Sequence, residues 1–389
     1  MALAIENPQE TRAADLVSLA LALGARMVPG WSEAEETLTS ETPESFPLFD
    51  GDIRAAIEHG ADPLGDAYCR RFSAEERRPT GATYTPHTIV DTMIGWAATQ
   101  ITPHRVIDPG AGSARFLVAA GRRFPQAELL AVEVDPLAAI LARGHLAAAG
   151  MAERARIIVT DYRQLTLPPV DGPTLFVGNP PYVRHHQIEP RWKQWLSETA
   201  RRYGHEASQL AGLHVHFFLA TAELARPGDV GVFITAAEWL DVNYGRLVRD
   251  LLMGVLGART LLIIEPTAEP FPGTQSTAVS SGFEVAAKPE TIGIRRVATM
   301  EALDCLQPGT QVSRELLMAG DRWTPLTRVS GGVDRRLRRV VRFDPKRDRC
   351  ALHDDKRLVP NQRRSTRHRD ESIAAPSIAL PGRPADLRS

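Results

Sequence analysis

Cysteine is scarce, with only Cys69, Cys305 and Cys350 in 389 residues. That count excludes a disulfide framework and a four-thiolate zinc site, and leaves buried or incidental thiols. No stretch approaches the roughly 18 uninterrupted apolar residues that a spanning helix requires. The start, Met1-Ala2-Leu3-Ala4-Ile5-Glu6-Asn7, lacks the basic-then-apolar order of a signal peptide, so a cytoplasmic protein with no membrane partner is expected. Net charge is nearly absent too, at -1, but it conceals an asymmetry. Residues 333–389 hold 16 Lys+Arg against 8 Asp+Glu, so they carry +8 while residues 1–332 carry -9. A polyanion would meet that tail before the body. With 43% apolar and 24% charged residues, the chain as a whole is neither fibrous nor disordered, and its length suits two domains.

Residues 8–80 read as helical, with Leu16, Leu19, Leu21 and Leu23 and then Ile53, Ala56 and Ile57 near helical spacing. The segment Thr42 to Pro47 separates the two pieces. From 105 onward short apolar runs alternate with longer helical stretches: Val106-Ile107, Leu129 to Val134, Arg156 to Val159, Thr174 to Val177, Val230 to Thr235, Leu261 to Ile264 and Thr277 to Val285. Seven strands with intervening helices predict an α/β fold, a mostly parallel, doubly wound sheet. Ile292 to Val297 is a candidate for one more strand. The segment 334–389 is Arg-rich without either period, and a disordered or loosely attached tail is expected there.

Val106 to Leu117 reads as a strand, a glycine-rich turn and a helix start, with Asp108, Pro109, Gly110 and Gly112 in the turn. Small residues there let the backbone approach a ligand closely and aim free N–H groups at it. Glu133 stands 21 residues past Gly112 at the end of the next strand, where a carboxylate can accept both ribose hydroxyls of a nucleoside-like cofactor. Nicotinamide enzymes use the same logic, but no helix-opening glycine follows three residues after Gly112. Asp108 would repel a diphosphate and suits a cationic cofactor such as S-adenosylmethionine. A third strand ends in Asp161-Tyr162, which can accept from an adenine amino group and pack beside its ring. A strand-end Asp that merely caps a turn reads equally well.

The most informative stretch is Gly178-Asn179-Pro180-Pro181-Tyr182 at the end of a fourth strand, where open parallel sheets bind ligands. The prolines fix φ, so the Asn179 side-chain oxygen and the Pro180 carbonyl can point at one amino group. An exocyclic amine on a heteroaromatic ring is a poor nucleophile because its lone pair is delocalised. Two acceptors on its hydrogens favour a tetrahedral nitrogen, and holding that nitrogen in line with a sulfonium methyl then needs neither metal nor covalent intermediate. Tyr182 offers a flat face for the target ring, worth about 1–3 kcal/mol.

These residues resemble the gamma class of N6-adenine DNA methyltransferases, the Asn-Pro-Pro-Tyr branch related to the modification halves of type IIG restriction enzymes. The likeness runs from about residue 79 to 285. It implies a seven-stranded class I S-adenosylmethionine-dependent methyltransferase fold, Rossmann-like, with a helical amino-terminal extension. It also implies an adenine-specific, site-specific DNA methyltransferase of restriction-modification or phage-defence type. The segment Gly81-Ala82-Thr83-Tyr84-Thr85-Pro86 looks like the family's amino-terminal cofactor motif, which holds the methionine carboxylate. Read from the residues, Thr85 is a good N-cap and Pro86 a good first helical residue.

By the same likeness Asp108, Gly110 and Gly112 fall in the cofactor loop, Glu133 on the ribose, Asp161 and Tyr162 at the adenine, and Asn179 to Tyr182 on a flipped target base. Phe271, in Pro270-Phe271-Pro272-Gly273, falls where a second aromatic would stack on the base's far face, and Arg184 where a cation would meet a phosphate. The implied organisation is a helical region at 1–78, a catalytic domain at 79–290, the start of a truncated target-recognition region at 291–332 and a basic tail at 333–389. No nuclease domain fits in the first 80 residues, so a separate specificity or restriction subunit is a further expected partner beside DNA. Ala114 replaces the final glycine of the family's loop. His185-His186 and His214-x-His216 lack metal-site spacing and no cysteine lies near, so no metal is expected. His214, Phe217 and Phe218 read as one face of a core helix. Competing readings are a protein glutamine or RNA amino-group methyltransferase, or a non-catalytic nucleic-acid-binding remnant of the fold.

Overall fold

The computed structural model describes residues 13–40, 42, 50–73, 75–76, 84–271, 276–304 and 309–328. The separating segment from Pro43 to Pro47, the turn Gly81 to Thr83, Pro272-Gly273 and the basic tail lie outside those residues. Four helices come first: α1 (Ala13–Ala22), α2 (Glu33–Ser40), α3 (Asp50–Glu58) and α4 (Pro63–Arg71). Then follow α5 (His87–Gln100), β1 (Arg105–Pro109), α6 (Arg115–Arg123), β2 (Glu128–Glu133), α7 (Pro136–Ala148), β3 (Ala155–Val159) and β4 (Thr174–Gly178). The remainder runs α8 (Pro190–Arg202), α9 (Leu213–Leu224), β5 (Val230–Ala236), α10 (Arg246–Met253), β6 (Ala258–Ile264), β7 (Ala278–Glu284), β8 (Thr291–Val297), β9 (Thr310–Ser313) and α11 (Arg314–Ala319). Among the described residues no helix is long and apolar enough to cross a membrane.

The strands form one sheet in the order β3-β2-β1-β4-β5-β7-β6-β8-β9. It has nine strands rather than the seven expected. The strands β3, β2, β1, β4 and β5 are parallel, β7 runs antiparallel between β5 and β6, β8 is parallel to β6, and β9 is antiparallel to β8. One of the additional strands, β8, is the candidate at Ile292 to Val297; β9 has no counterpart in the sequence reading, and both have weak patterns. Gly293, Arg295 and Arg296 interrupt the apolar pattern of β8, and β9 is four residues long with only Val312 buried. Neither makes the sustained run that marks an interior strand.

Helices cover both faces of the parallel half. Strand side chains alternate, so Val106, Leu129, Ala131, Leu175 and Val177 pack with α5, α6 and α7, while Ile107, Leu130, Val132 and Phe176 pack with α8, α9 and α10. A third core joins Leu16, Leu19 and Ala20 of α1, Ile57 of α3 and Leu64 of α4 to Ile140, Leu141 and Ala148 of α7. Helix α7 is therefore covered on two sides, and its last eleven residues are all buried. A Cβ on Gly144 would lie 2.8 Å from the Ala20 Cα, which is why glycine stands where α7 meets α1. One residue earlier, the fully buried Arg143 binds Glu35 through Nε at 2.6 Å and Nη2 at 3.0 Å, and donates to the Val28, Pro29 and Gly30 carbonyls. Helix α9 is buried all round from His214 to Ala222, not along one face. Burial pushes His214 down to about 4 and His216 to about 3, so both are neutral core residues near pH 7.

Candidate active site

Strand β1 lies between β2 and β4. The chain winds outward on either side of that point, and a crevice opens beyond the carboxyl ends of the strands. There β1 delivers Asp108 and Pro109, β2 delivers Glu133, β3 leads to Asp161-Tyr162 and β4 delivers Asn179. A cavity of ≈ 330 Å³ occupies the crevice; its wall includes Tyr84, Thr85, Gly110, Gly112, Glu133, Asp161, Tyr162, Asn179 and Pro181. Of the residues singled out by sequence, Pro86, Asp108, Pro109, Pro180, Tyr182, Arg184 and Phe271 lie outside that wall.

The turn after β1 passes through left-handed backbone at Gly110 (φ 75°), Gly112 (φ 54°) and Ala114 (φ 66°). Its amides are not free. Gly110 and Ala111 donate to the Val132 carbonyl at 2.8 and 3.0 Å, and Gly112 donates to Glu133 Oε2 at 2.8 Å. The expectation of free N–H groups aimed at a ligand is corrected for Gly110, Ala111 and Gly112, whose amides are spent within the fold. Glu133 Oε1 accepts from Val134 at 2.8 Å and from Asp135 at 3.0 Å. A carboxylate has about four acceptor positions, so with three taken it offers one more in this conformation. Two ribose hydroxyls would require it to release a backbone donor.

Asp108 is 1% exposed, and neither of its oxygens has a hydrogen-bond partner among the described residues. Burial, with the neighbouring Glu133 charge, pushes its carboxyl well above the usual range. It lies under β4, where a Cβ on Gly178 would come within 2.5 Å of Asp108 Oδ1; only glycine fits there. Asp161 is occupied as well: Oδ1 accepts from the Arg163 amide at 2.9 Å and Nε at 2.8 Å, and Oδ2 from Nη2 at 2.5 Å. The Arg163 guanidinium stacks 3.8 Å from the centroid of Trp192. Tyr162 is buried, its ring 5.1 Å from Phe217 and its hydroxyl 3.0 Å from Thr221 Oγ1.

Helix α5 starts one residue later than expected, with Pro86 in the N-cap position and no side-chain cap. The Thr85 hydroxyl is needed elsewhere, since it accepts from Asn179 Nδ2 at 3.1 Å. That bond sets which way the amide faces and ties the turn before α5 to the end of β4. Tyr182 and the buried Phe271 meet edge to face, 6.4 Å apart at 68°, so no parallel slot lies between them. Arg184 is exposed.

Sequence reasoning missed several wall residues. Tyr68 of α4, Arg115, Val134, Arg163 and Trp192 all line the cavity, and Val134 is 51% exposed. Only Val134 carried a local signal, as an apolar residue directly after a strand-end carboxylate. Arg115 and Arg163 stand within or beside stretches already singled out but were not picked from them, whereas Tyr68 and Trp192 come from segments with no motif of their own.

The wall fits a cationic nucleoside cofactor. It combines a glycine turn and a carboxylate with one open acceptor position, and the buried Asp108 that leads into the turn, outside the wall and without a partner among the described residues, is a charge that a cation in the cavity would compensate. Tyr84 adds a buried hydroxyl without a partner among the described residues. No group of three or more His, Cys, Asp or Glu side chains among the described residues is arranged to hold a metal ion.

Comparison with known proteins bears on this arrangement. Residues 174–264 match the family described as Eco57I restriction-modification methylase. The chain is 46% identical over 323 residues to the type II methyltransferase M.XamI of Xanthomonas campestris pv. amaranthicola, covering 81% of this chain and 60% of that protein. It thus spans three fifths of the length of that relative. A stretch of 109 residues is 29% identical to the tRNA1(Val) (adenine(37)-N6)-methyltransferase of Porphyromonas gingivalis, covering 27% of this chain and 43% of that one. In structure it is similar to a Listeria monocytogenes protein described as a class I S-adenosylmethionine-dependent methyltransferase. That likeness has a TM-score of 0.51 at 13% identity and covers 74% of this chain and 94% of the other. It bears on the fold, which is the class I methyltransferase fold enlarged by two strands.

Proposed function

We propose, from the premise that this chain resembles the restriction-modification methyltransferases, that it transfers a methyl group from S-adenosylmethionine to the N6 amine of adenine in DNA. The observation that carries the reading is the single cavity that joins the glycine turn, Glu133 and Asp161 to Asn179 at the switch point of the sheet. The names of two relatives support it: one is a type II methyltransferase and the other acts on adenine N6. DNA is favoured over RNA or a glutamine amide by the Thr83-Tyr84-Thr85-Pro86 and Tyr182-Val183-Arg184 segments. A cytoplasmic location and a partner restriction or specificity subunit accompany this reading.

When bound, the cofactor supplies an electrophilic methyl on a sulfonium. Glu133 would hold a ribose hydroxyl, Asp161 with Tyr162 the adenine end, and Tyr84 with Thr85 the methionine end. Asp108 lies below as the counter-charge. The target base is flipped out of the duplex onto Tyr182, and Arg184 meets a phosphate beside it. Thr85 holds the Asn179 Nδ2, which turns Oδ1 toward the amine. Oδ1 and the Pro180 carbonyl each accept one amine hydrogen, and the nitrogen lone pair becomes localised for attack. Attack would break the methyl–sulfur bond and release a neutral thioether, and the methylated nitrogen would then give its extra proton to water.

Methyl transfer from radiolabelled S-adenosylmethionine to unmethylated genomic DNA, followed by nucleoside analysis, tests the proposal. Label in N6-methyladenine that disappears in Asn179→Ala is the expected result. Cofactor binding with no label in DNA would refute it and leave a protein or RNA substrate, or a non-catalytic binding protein.

A further inference from the structure

The amino-terminal helices touch the cofactor cavity through a charged cluster that the reaction outlined above does not use. Asp62 caps α4 and is wholly buried, its side chain 0% exposed. A carboxylate in such a place persists only when its oxygens are fully compensated. Oδ1 accepts the Gly65 amide at 2.8 Å and lies 3.5 Å from His145 Nδ1. Oδ2 accepts Arg115 Nε at 3.0 Å and the Ser113 hydroxyl. The same His145 nitrogen is 2.8 Å from the Ser113 carbonyl. Ser113, the last residue of the glycine turn before Ala114, is therefore gripped at both its hydroxyl and its carbonyl.

Arg115 extends the cluster toward the chemistry. Its Nη1 donates to the Thr85 carbonyl at 2.8 Å and its Nη2 to Asp66 at 2.9 Å, while Thr85 Oγ1 holds Asn179. Residues 62, 65 and 66 share one helical face, and that face is pressed against the turn. A Cβ on Gly65 would collide with Asp62 Oδ2, and would stand 2.6 Å from Ser113 Oγ and 2.7 Å from Tyr84 Cε1. Further along α4, Tyr68 enters the cavity wall and its hydroxyl donates to Asp135 at 2.8 Å.

We propose that Asp62 is a positioning residue for the cofactor, and that helix α4 is a working part of the binding site rather than part of a separate appendage. By fixing Ser113 and Arg115 together it sets the height of the glycine turn and the place of Thr85. Loss of its charge lets both relax while the residues that touch the cofactor stay in the chain. The inference rests on the cofactor reading given above.

Calorimetric titration with S-adenosylmethionine tests it on the full chain, alongside thermal unfolding and steady-state kinetics on unmethylated DNA. Asp62→Asn keeps the volume of the side chain and an acceptor for the Gly65 amide, but sets an amide donor where Oδ2 accepts from Ser113 and Arg115, and cannot balance Arg115. The expected result is a Kd and a cofactor KM raised about tenfold, with kcat at saturating cofactor lowered by less than the roughly tenfold expected on losing the Thr85 hydroxyl. Glu35→Gln, which breaks the buried ion pair to Arg143, should lower Tm and leave the Kd within about twofold. If Asp62→Asn does not fold, Ser113→Ala removes one donor from the same carboxylate, and a Kd raised about threefold is expected. A folded variant with lowered Tm and wild-type Kd would overturn the inference, because Asp62 would then support the fold alone. Wild-type protein that binds no S-adenosylmethionine would overturn the cofactor reading and this inference with it.

Discussion

Replacing Asp108 by asparagine gives the sharpest forecast, because one substitution should move stability and cofactor binding in opposite directions. In the folded chain both carboxylate oxygens are buried without partners among the described residues, and burial followed by the Glu133 charge raises the pKa well above the ordinary value. The unfolded chain gives up this proton near pH 4, whereas the folded chain keeps it to higher pH. Folding stability therefore falls as pH rises from about 4 toward the folded pKa, by about 1.4 kcal/mol per pH unit for one retained proton. A carboxamide at this position does not titrate and has no such slope. Over the interval in which the wild-type carboxyl stays protonated, the Asp108→Asn variant should gain on the wild type by about 1.4 kcal/mol for each pH unit. For a chain of 389 residues that is roughly 2 °C of relative Tm per pH unit. A cation binding above Asp108 favours its ionised form, so wild-type affinity for S-adenosylmethionine should rise with pH over the same range. The variant should bind about tenfold or more weakly at pH 8, with a flat profile. Thermal unfolding and calorimetric titration across pH 5–8 measure both effects. A stability gap that does not change with pH, or equal affinity at pH 8, would refute the assignment of Asp108 as a buried counter-charge.

The other forecasts are more local. Ala114 sits in left-handed backbone at φ 66°, so Ala114→Gly should stabilise the chain by about 1 kcal/mol in urea unfolding; a destabilised variant would mean that the methyl group packs better than the strain costs. Glu35→Gln leaves the Arg143 guanidinium buried and uncompensated, at a cost of about 3 kcal/mol, and an unchanged denaturation midpoint would show that the backbone carbonyls suffice to hold it. Thr85→Val removes the acceptor that orients Asn179 and should lower kcat about tenfold, the equivalent of one hydrogen bond. Unchanged kcat in single-turnover assays would free Asn179 from that dependence.

What the sequence made legible is local. The glycine turn, Glu133, Asp161 and the Asn179 tetrapeptide each follow a strand directly, and such strand-end groups declare themselves through an apolar run with a polar turn behind it. Strands β1 to β7 were readable for the same reason. Other parts depended on distance. Asp62 meets Ser113 across 51 residues, and nothing near Asp62 distinguishes it from an ordinary N-cap. Thr85 was read as a cap because capping is what a threonine before a proline does locally; a bond to Asn179, 94 residues away, took its hydroxyl instead. The amides of the glycine turn looked free because the sequence does not reveal that Val132 and Glu133 lie opposite them. Strand β9, with three of its four residues polar, joins the sheet through backbone pairing and the single buried side chain of Val312, too little apolar pattern to be read locally.

The double covering of α7 has a consequence for synthesis of the chain. Glu35 is made 108 residues before its partner Arg143, an interval of roughly 5–20 s at ordinary rates of translation. Through that time Leu16, Leu19 and Ile57 have no Ile140 or Leu141 to pack against. The amino-terminal helices thus emerge first yet reach their final places only after α7 has been made. A ribosome paused between residues 58 and 136 would hold out an apolar helical arm, open to proteases and chaperones, that one further helix conceals.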